Sequence, residues 1–293
     1  MTAAPFSPSP ELYPFQSNWF ESQHAGRVHY VDEGSGPPIL MCHGNPTWSF
    51  LYRKVIVRLR DRFRCVAMDM PGFGLSDRPS HYGYTPAEHS SVLASLVEHL
   101  ELDQMLVMAQ DWGGPIGMSL AASSPTRVRG LVFMNTFYFP QLSHLAAQLN
   151  ALTVVPAVSV LNRFSLPVEI ALRLGTNTTL TRVEIDHYLG VQRRHEDRRG
   201  IAELPRHLGS EWLSELAAQA PAALSDKPML LIWGMKDRLL GRDSVLERWR
   251  SDLPEAEILK LPHANHFLQE DGAQEIANAV LAKFGQGTPA SAG

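Results

Sequence analysis

Short apolar runs recur along the chain and alternate with stretches of helical periodicity. The runs lie at residues 27–33, 38–42, 63–68, 105–109, 128–134, 228–233 and 257–261. Between them, apolar residues return every three or four positions at residues 48–59, 85–100, 113–123, 244–253 and 273–284. Strands that alternate with helices predict an α/β fold, with a mostly parallel central sheet flanked by helices.

The rhythm changes between residues 136 and 223. Strand-like runs stop there, and helix-like pieces are broken at Pro140, Pro156, Pro167, Gly175, Gly200 and Pro205. We therefore predict a core domain of residues 1–135 and 224–293, with a helical cap of residues 136–223 inserted in the second half of the chain. Ligands of parallel sheets bind beyond the carboxyl ends of the strands, where such a cap would cover them.

Composition narrows the class of protein. Of the 293 residues, 44% are hydrophobic and 19% are charged, which excludes a disordered chain. The 26 Lys and Arg residues are outnumbered by 30 Asp and Glu residues, so nucleic acid is not an expected partner. The two cysteines, Cys42 and Cys65, both lie in apolar runs and are predicted to be reduced, buried thiols.

Neither a secretory signal nor a membrane span is predicted. Residues 1–20 contain no Lys or Arg and are interrupted by prolines. The longest apolar stretch, residues 151–161, is too short to cross a bilayer. We expect a cytoplasmic protein that does not enter the membrane.

The segment around Asp111 carries the first chemical signal. The strand-like run 105–109 leads into Asp111 and then into the helical stretch 113–123. A strand, a sharp turn and a helix form a nucleophile elbow, and Ala109 and Gly113 leave room for the turn. An ionised aspartate can attack carbon without a base, and the positive end of the following helix favours the carboxylate. The plainer alternative is that Asp111 only caps that helix.

Two later segments supply partners for Asp111. Asp237 follows the run 228–233, and His266 follows the run 257–261. This order of nucleophile, acid and histidine is the one that the elbow arrangement requires, with the histidine as base and the acid orienting it. His263 invites a metal interpretation, but zinc needs three or four ligands and no HExxH segment is present. No metal site is predicted.

Asn45 and Trp112 offer hydrogen-bond donors beside the elbow. In this arrangement the backbone N–H beyond a His-Gly pair and the N–H after the nucleophile form the oxyanion hole. These are the amides of Asn45 and Trp112. Their side chains add an amide NH2 and an indole N–H, which can hold a departing halide in a dry pocket. The alternatives are core packing for Trp112 and a turn before Pro46 for Asn45.

In five of its motifs the chain resembles the haloalkane dehalogenases of the α/β-hydrolase superfamily. The resemblance rests on HGNPTWSFLYR from position 43, MPGFGLSDRP from 70, AQDWGGP from 109, IWGMKD from 232 and HFLQED from 266. It implies an α/β-hydrolase fold, a halogenated aliphatic substrate, water as co-substrate, halide as product and no metal or organic cofactor. It also implies assembly into homo-oligomers.

The same resemblance assigns the site residues. It makes Asp111 the nucleophile, His266 the general base and Asp237 its orienting acid, with Asn45 and Trp112 as halide donors. Phe137, Phe139 and Pro140 open the predicted cap and are candidates for the pocket wall, with packing inside the cap as the alternative.

Three other functions fit the same scaffold. An epoxide hydrolase also uses an elbow aspartate, and it normally protonates the alkoxide from cap tyrosines, for which Tyr138 and Tyr188 are available. Asn45 argues against it, because that family usually has an apolar or aromatic residue after His-Gly. A non-catalytic receptor would have a decayed triad, and a serine esterase would need a serine at the apex.

Overall fold

The computed structural model describes residues 6–141, 166–241 and 243–285. Within these ranges the strands are β1 (Asn18–Ser22), β2 (Gly26–Glu33), β3 (Pro38–Cys42), β4 (Arg64–Met68), β5 (Met105–Asp111), β6 (Val128–Thr136), β7 (Met229–Gly234) and β8 (Glu257–Leu261). These eight strands form one sheet in the order β1-β2-β4-β3-β5-β6-β7-β8. Strand β2 runs antiparallel to β1 and to β4, and the pairings from β4 through β3 to β8 are parallel.

Helices follow most of the parallel strands. Several begin at residues suited to the position: for example, Thr85 makes a capping box with Glu88 at the start of the helix 86–99, and the Ser210 hydroxyl accepts from the Leu213 amide at the start of the helix 211–224. The helices are α1 (Arg53–Leu59), α2 (Pro86–His99), α3 (Gly113–Ser123), α4 (Leu166–Gly175), α5 (Arg182–Gly190), α6 (Arg199–Glu203), α7 (Glu211–Leu224), α8 (Asp243–Asp252), α9 (Leu268–Asp271) and α10 (Ala273–Phe284).

The α/β fold predicted from the sequence is confirmed. Every residue of β7 and the first six residues of β5 are buried, as expected for parallel strands covered on both faces. Every strand except β1 coincides with a predicted run to within two residues. Strand β1 was missed because it lies at the sheet edge and buries only Phe20, which leaves no apolar pattern to detect.

The segment between β6 and β7, here called the insertion, contains α4 to α7. Its described residues are helices, turns and connecting segments. The predicted domain boundaries at 135/136 and 223/224 remain a prediction. The apolar stretch 151–161 lies outside the described residues. Within the described ranges, no helix is long and apolar enough to span a bilayer.

A buried ion cluster joins the insertion to the core. The Arg53 guanidinium on α1 pairs with Glu184 of α5 at 2.7 Å and with Glu270 of α9. Lys54 also reaches Glu270, at 2.7 Å. Breaking one such buried pair typically costs about 3–5 kcal/mol, because a charge is left without its partner. The cluster therefore holds α5 against the short helix that follows His266.

Candidate active site

Three polar side chains predicted at separate strand ends meet at one edge of the sheet. Asp111 ends β5, Asp237 follows β7 and His266 follows β8. The His266 Nδ1 atom lies 2.8 Å from Asp237 Oδ2, and its Nε2 atom lies 3.7 Å from Asp111 Oδ2. Groups that follow one another in the chain as nucleophile, acid and histidine are thus arranged in space as acid, histidine and nucleophile, with the imidazole in the middle.

The backbone at Asp111 makes the sharp turn that the motif predicts. Its φ is +52°, in the left-handed region. The neighbouring glycines are required by close approach: a Cβ at Gly44 would lie 2.4 Å from the Asp111 Cβ, and one at Gly113 would lie 2.1 Å from the Cys42 carbonyl oxygen. Such strain at a single residue is typical of functional sites and here lifts the carboxylate out of the strand end.

The two oxygens of the Asp111 carboxylate have different environments. Oδ1 accepts the Asn45 backbone N–H at 2.7 Å, and the Trp112 backbone N–H acts with it to lower the pKa of the Asp111 carboxyl. Oδ2 is the oxygen nearest to His266. The two amides predicted to form an oxyanion hole thus both act on the carboxylate of the predicted nucleophile, Asp111, where a negative oxygen would develop in ester hydrolysis.

Burial dominates the ionisation of Asp111. It raises the pKa of Asp111 above its ordinary value, and the opposing effects of His266 and of the two backbone amides do not cancel it. The sequence indicates only the effect of the helix end, which favours the carboxylate, because burial of Asp111 depends on the tertiary structure. A carboxylate that is poorly solvated and has few hydrogen bonds is also a stronger nucleophile than a hydrated one.

Asp237 is held as an anion by four donors. Oδ2 accepts from His266 and, at 2.9 Å, from the Asn135 side chain; Oδ1 accepts the backbone amides of Leu239 and Leu240. Burial alone would raise the pKa of Asp237, but these bonds and the charge of His266 lower it to about 2. Because an ionised carboxylate only accepts, the proton of neutral His266 sits on Nδ1 and Nε2 is left as an acceptor.

The electrostatics of His266 follow from the same contacts. Burial would lower its pKa, but the hydrogen bond to Asp237 and the charges of Asp237 and Asp111 raise the pKa of His266 overall. Its imidazole is therefore poised to take up and keep a proton between two carboxylates.

Sequence reasoning missed two residues of the site. Asn135, at the end of β6, bridges Asp237 to the Gly234 backbone amide. Gln110, fully buried next to the apex, donates its side-chain amide to His266 Nε2 at 3.1 Å. Both are neutral amides inside apolar strands, and only their position at the carboxyl edge of the sheet could have drawn attention to them.

The predicted halide donors are differently engaged. The Asn45 side-chain amide donates to the Ile201 carbonyl of the insertion at 3.1 Å, while its buried Oδ1 has no partner within residues 6–141, 166–241 and 243–285. The Trp112 side chain is buried and its indole N–H has no acceptor among the described residues. One N–H of Asn45 and the indole N–H of Trp112 remain available for an anion.

The pocket candidates separate by their contacts. Phe137 is buried edge-on against Trp112, with ring centroids 5.0 Å apart. Phe139 packs on Tyr138 and below the Arg248 guanidinium, and Pro140 is partly buried. Contact with the predicted halide donor Trp112 favours Phe137 as a wall of the site, and the roles of Phe137, Phe139 and Pro140 remain predictions.

Other predictions concern residues near the site. His263 is half-exposed and lies 3.3 Å from Glu275, at the surface. Cys42 and Cys65 are buried free thiols, as predicted. In the described ranges, no cluster of three or more potential ligands for a metal ion is present.

Comparison with known proteins places this geometry in a family. A family profile described as alpha/beta hydrolase fold matches residues 37–273. Haloalkane dehalogenase 2 of Mycobacterium tuberculosis is 47% identical over 283 residues, which cover 96% of this chain and 99% of that protein. This chain belongs to the haloalkane dehalogenases. The family resemblance drawn from the motifs, and the hydrolase class that it implies, are thus confirmed.

Solved structures of haloalkane dehalogenases have the same fold as this chain. The haloalkane dehalogenase DbeA from Bradyrhizobium elkani has a TM-score of 0.79 and 26% identity, covering 91% of this chain and 97% of that one. The tetrameric haloalkane dehalogenase DpaA from Paraglaciecola agarilytica has a TM-score of 0.78 and 25% identity, covering 95% and 98%. Oligomerisation of this dehalogenase remains a prediction.

A relative with another activity is also similar. The cis-3-alkyl-4-alkyloxetan-2-one decarboxylase of Shewanella oneidensis is 31% identical, covering 92% of this chain and 88% of that protein. Its lower identity makes it a second reference point for the function of the site.

Proposed function

We propose that this dehalogenase hydrolyses the carbon–halogen bond of small haloalkanes through an alkyl ester of Asp111. The observation that supports it best is the asymmetry of the Asp111 carboxylate: the Asn45 amide binds Oδ1 at 2.7 Å, while Oδ2 lies 3.7 Å from His266 Nε2. One oxygen is thus stabilised where charge develops, and the other is left to attack.

In the first step, Oδ2 of Asp111 displaces the halide in line from an sp3 carbon. A C–O bond forms, and the halide leaves with the electron pair of the C–X bond. No proton moves, so no base is needed. The Trp112 indole N–H and the remaining Asn45 N–H receive the halide, because a charge left unpaired in a dry pocket costs several kcal/mol.

In the second step, His266 Nε2 takes a proton from a water molecule that attacks the ester carbonyl carbon. The negative oxygen that results is Oδ1, which the amides of Asn45 and Trp112 stabilise. Collapse of this intermediate expels the alcohol oxygen, which takes the proton back from His266. Asp111 is restored and one proton leaves to solvent. Asp237 supports the transient imidazolium.

We also infer that the insertion acts as the predicted cap. Its Ile201 carbonyl binds Asn45, and the Gly175 carbonyl at the end of α4 accepts the Phe267 amide at 2.8 Å, beside His266. The contacts supporting this role therefore lie on both sides of the nucleophile.

The epoxide hydrolase alternative loses its proton donors. The Tyr138 hydroxyl donates to Asp252, and the Tyr188 hydroxyl donates to Glu270 at 2.5 Å; both rings are fully buried. A hydroxyl committed to a carboxylate inside the fold is a poor donor to an alkoxide at the site. These contacts favour release of a halide over opening of an epoxide.

The function is tested by bromide release from 1,2-dibromoethane. We expect steady turnover by the wild type and a loss of about 100-fold or more in kcat/KM for Trp112→Phe, because an indole N–H that receives the halide in the transition state is removed. The matched control is Trp19→Phe on the outer strand β1, which should retain wild-type turnover.

Each arm of this assay has a defined meaning. Hydrolysis of styrene oxide without bromide release would assign the epoxide activity. Decarboxylation of a dialkyl oxetan-2-one without bromide release would assign the activity of the Shewanella relative. Equal losses in the two tryptophan variants would remove Trp112 from the halide site.

The pH dependence separates the free protein from the ester. A base must be neutral, so ester hydrolysis runs at its full rate above the pKa of His266. That pKa is raised, and the rate falls as the pH drops through it. In the ester, Asp111 has no charge, so its contribution to raising the pKa of His266 is gone. We expect ester decay to fail at a lower pH than that at which NMR shows His266 of the free protein to protonate. Failure at the same pH or higher would contradict this.

A further inference from the structure

Gln110 contacts the part of His266 that the hydrolytic step uses. Its side-chain nitrogen lies 3.1 Å from His266 Nε2 and 3.1 Å from the His266 carbonyl oxygen. The residue is fully buried, and its Oε1 atom has no partner in the part of the chain that the structure describes. Burying an amide whose oxygen has no hydrogen bond costs free energy. The two hydrogen bonds made by the Gln110 nitrogen offset part of that cost.

These two bonds define one protonation state of the imidazole. Both partners of the Gln110 nitrogen are acceptors only when Nε2 carries a lone pair, which is the neutral state with the proton on Nδ1. In the imidazolium, an N–H of His266 would face an N–H of Gln110. Rotating the Gln110 amide by 180° would let Oε1 accept that N–H but would place oxygen against the His266 carbonyl oxygen. In both amide orientations the protonated ring is therefore less stable than the neutral ring.

We propose that Gln110 is a positioning residue for ester hydrolysis, which holds the His266 ring in place and keeps its Nε2 atom unprotonated until the attacking water replaces the Gln110 N–H as its hydrogen-bond donor. The proposal rests on the proposed function. The groups that face His266 then have opposite effects on its protonation: Asp237 and Asp111 favour the protonated ring, and Gln110 favours the neutral ring. The balance leaves a base strong enough to take a proton from water and still neutral when the ester forms.

The test is Gln110→Leu, which keeps the volume and removes the donor. Bromide release in the first turnover should stay within about twofold of wild type, because the first step needs no base. Ester decay should slow by about tenfold, and its acid limb should move up by about 0.5–1 pH unit, the effect of one hydrogen bond to the neutral form. Rapid quench and intact-mass measurement follow the ester across pH.

A second variant reverses the polarity of the contact. In Gln110→Glu a carboxylate would accept from the imidazolium, so the acid limb should move up by more than one pH unit and the ester should accumulate at pH 7. The matched control is Gln269→Leu, since Gln269 is equally buried but has no hydrogen bond to His266. Its acid limb should coincide with that of the wild type.

The outcomes distinguish a failure of the proposed Gln110 role from a failure of the proposed function. If both Gln110 variants form and hydrolyse the ester with an unmoved acid limb, Gln110 is only a packing residue, whatever happens to the melting temperature. If no ester forms in any variant or in the wild type, the proposed function itself fails. A downward shift of the limb in Gln110→Leu would also overturn the proposal.

Discussion

His266→Phe should release one equivalent of bromide per protein and then stop. In the proposed mechanism the first step uses the carboxylate of Asp111 alone. The second step needs a base within reach of water, and removing a general base costs roughly 10²–10⁴-fold in rate. The ester should therefore persist on Asp111. Single-turnover bromide release and the intact mass, increased by the alkyl group, measure the two halves of this result.

The control for this variant is His263→Phe. His263 lies three positions earlier in the same loop, is half-exposed and pairs with Glu275 instead of Asp111 or Asp237. It should turn over at the wild-type rate. If His266→Phe releases no bromide at all and shows no adduct, the division of the reaction into two steps is wrong.

Asp111→Ala should abolish turnover of 1-bromobutane and of 1,2-dibromoethane. No other group replaces the carboxylate oxygen that forms the ester, so we expect a loss of roughly 10⁴-fold or more. Folding should survive. Alanine at a positive φ costs on the order of 1 kcal/mol, and removing a carboxylate whose pKa is raised by burial offsets part of that cost. Bromide release and a thermal melt check both statements.

A remote aspartate provides the comparison. Asp186 on α5 is half-exposed and pairs with Arg182 at 2.9 Å, so Asp186→Ala should keep full activity. Measurable turnover by Asp111→Ala, with no adduct at any step, would move the nucleophile to another residue.

Much of the fold was readable from local pattern. Parallel strands buried on both faces are continuous apolar runs, so β3, β5 and β7 could be located from those runs alone. The turn at Asp111 was equally readable, because tight backbone approach demands small residues at fixed offsets, as the contact of Gly113 with the Cys42 carbonyl shows. Such constraints act over a few residues and therefore leave a mark in the sequence.

Long-range contacts left no such mark. The bond from Gln110 to His266 spans 156 residues, and the one from Asn45 to Ile201 spans the same distance along the chain. Neutral amides have no periodic or charged signature, so neither partner could be inferred. Nor could the bond from Asn135 to Asp237, which closes the acid side of the site.

The sequence by itself determined which groups exist and at which strand ends they emerge: the carboxylate of Asp111, the carboxylate of Asp237 and the imidazole of His266. Only the tertiary structure decided how they interact. It set the 2.8 and 3.7 Å separations, gave the two oxygens of Asp111 different neighbours and raised the pKa of that carboxyl through burial. Residue types follow from the chain, whereas desolvation and hydrogen-bond geometry depend on what the rest of the fold packs around each group.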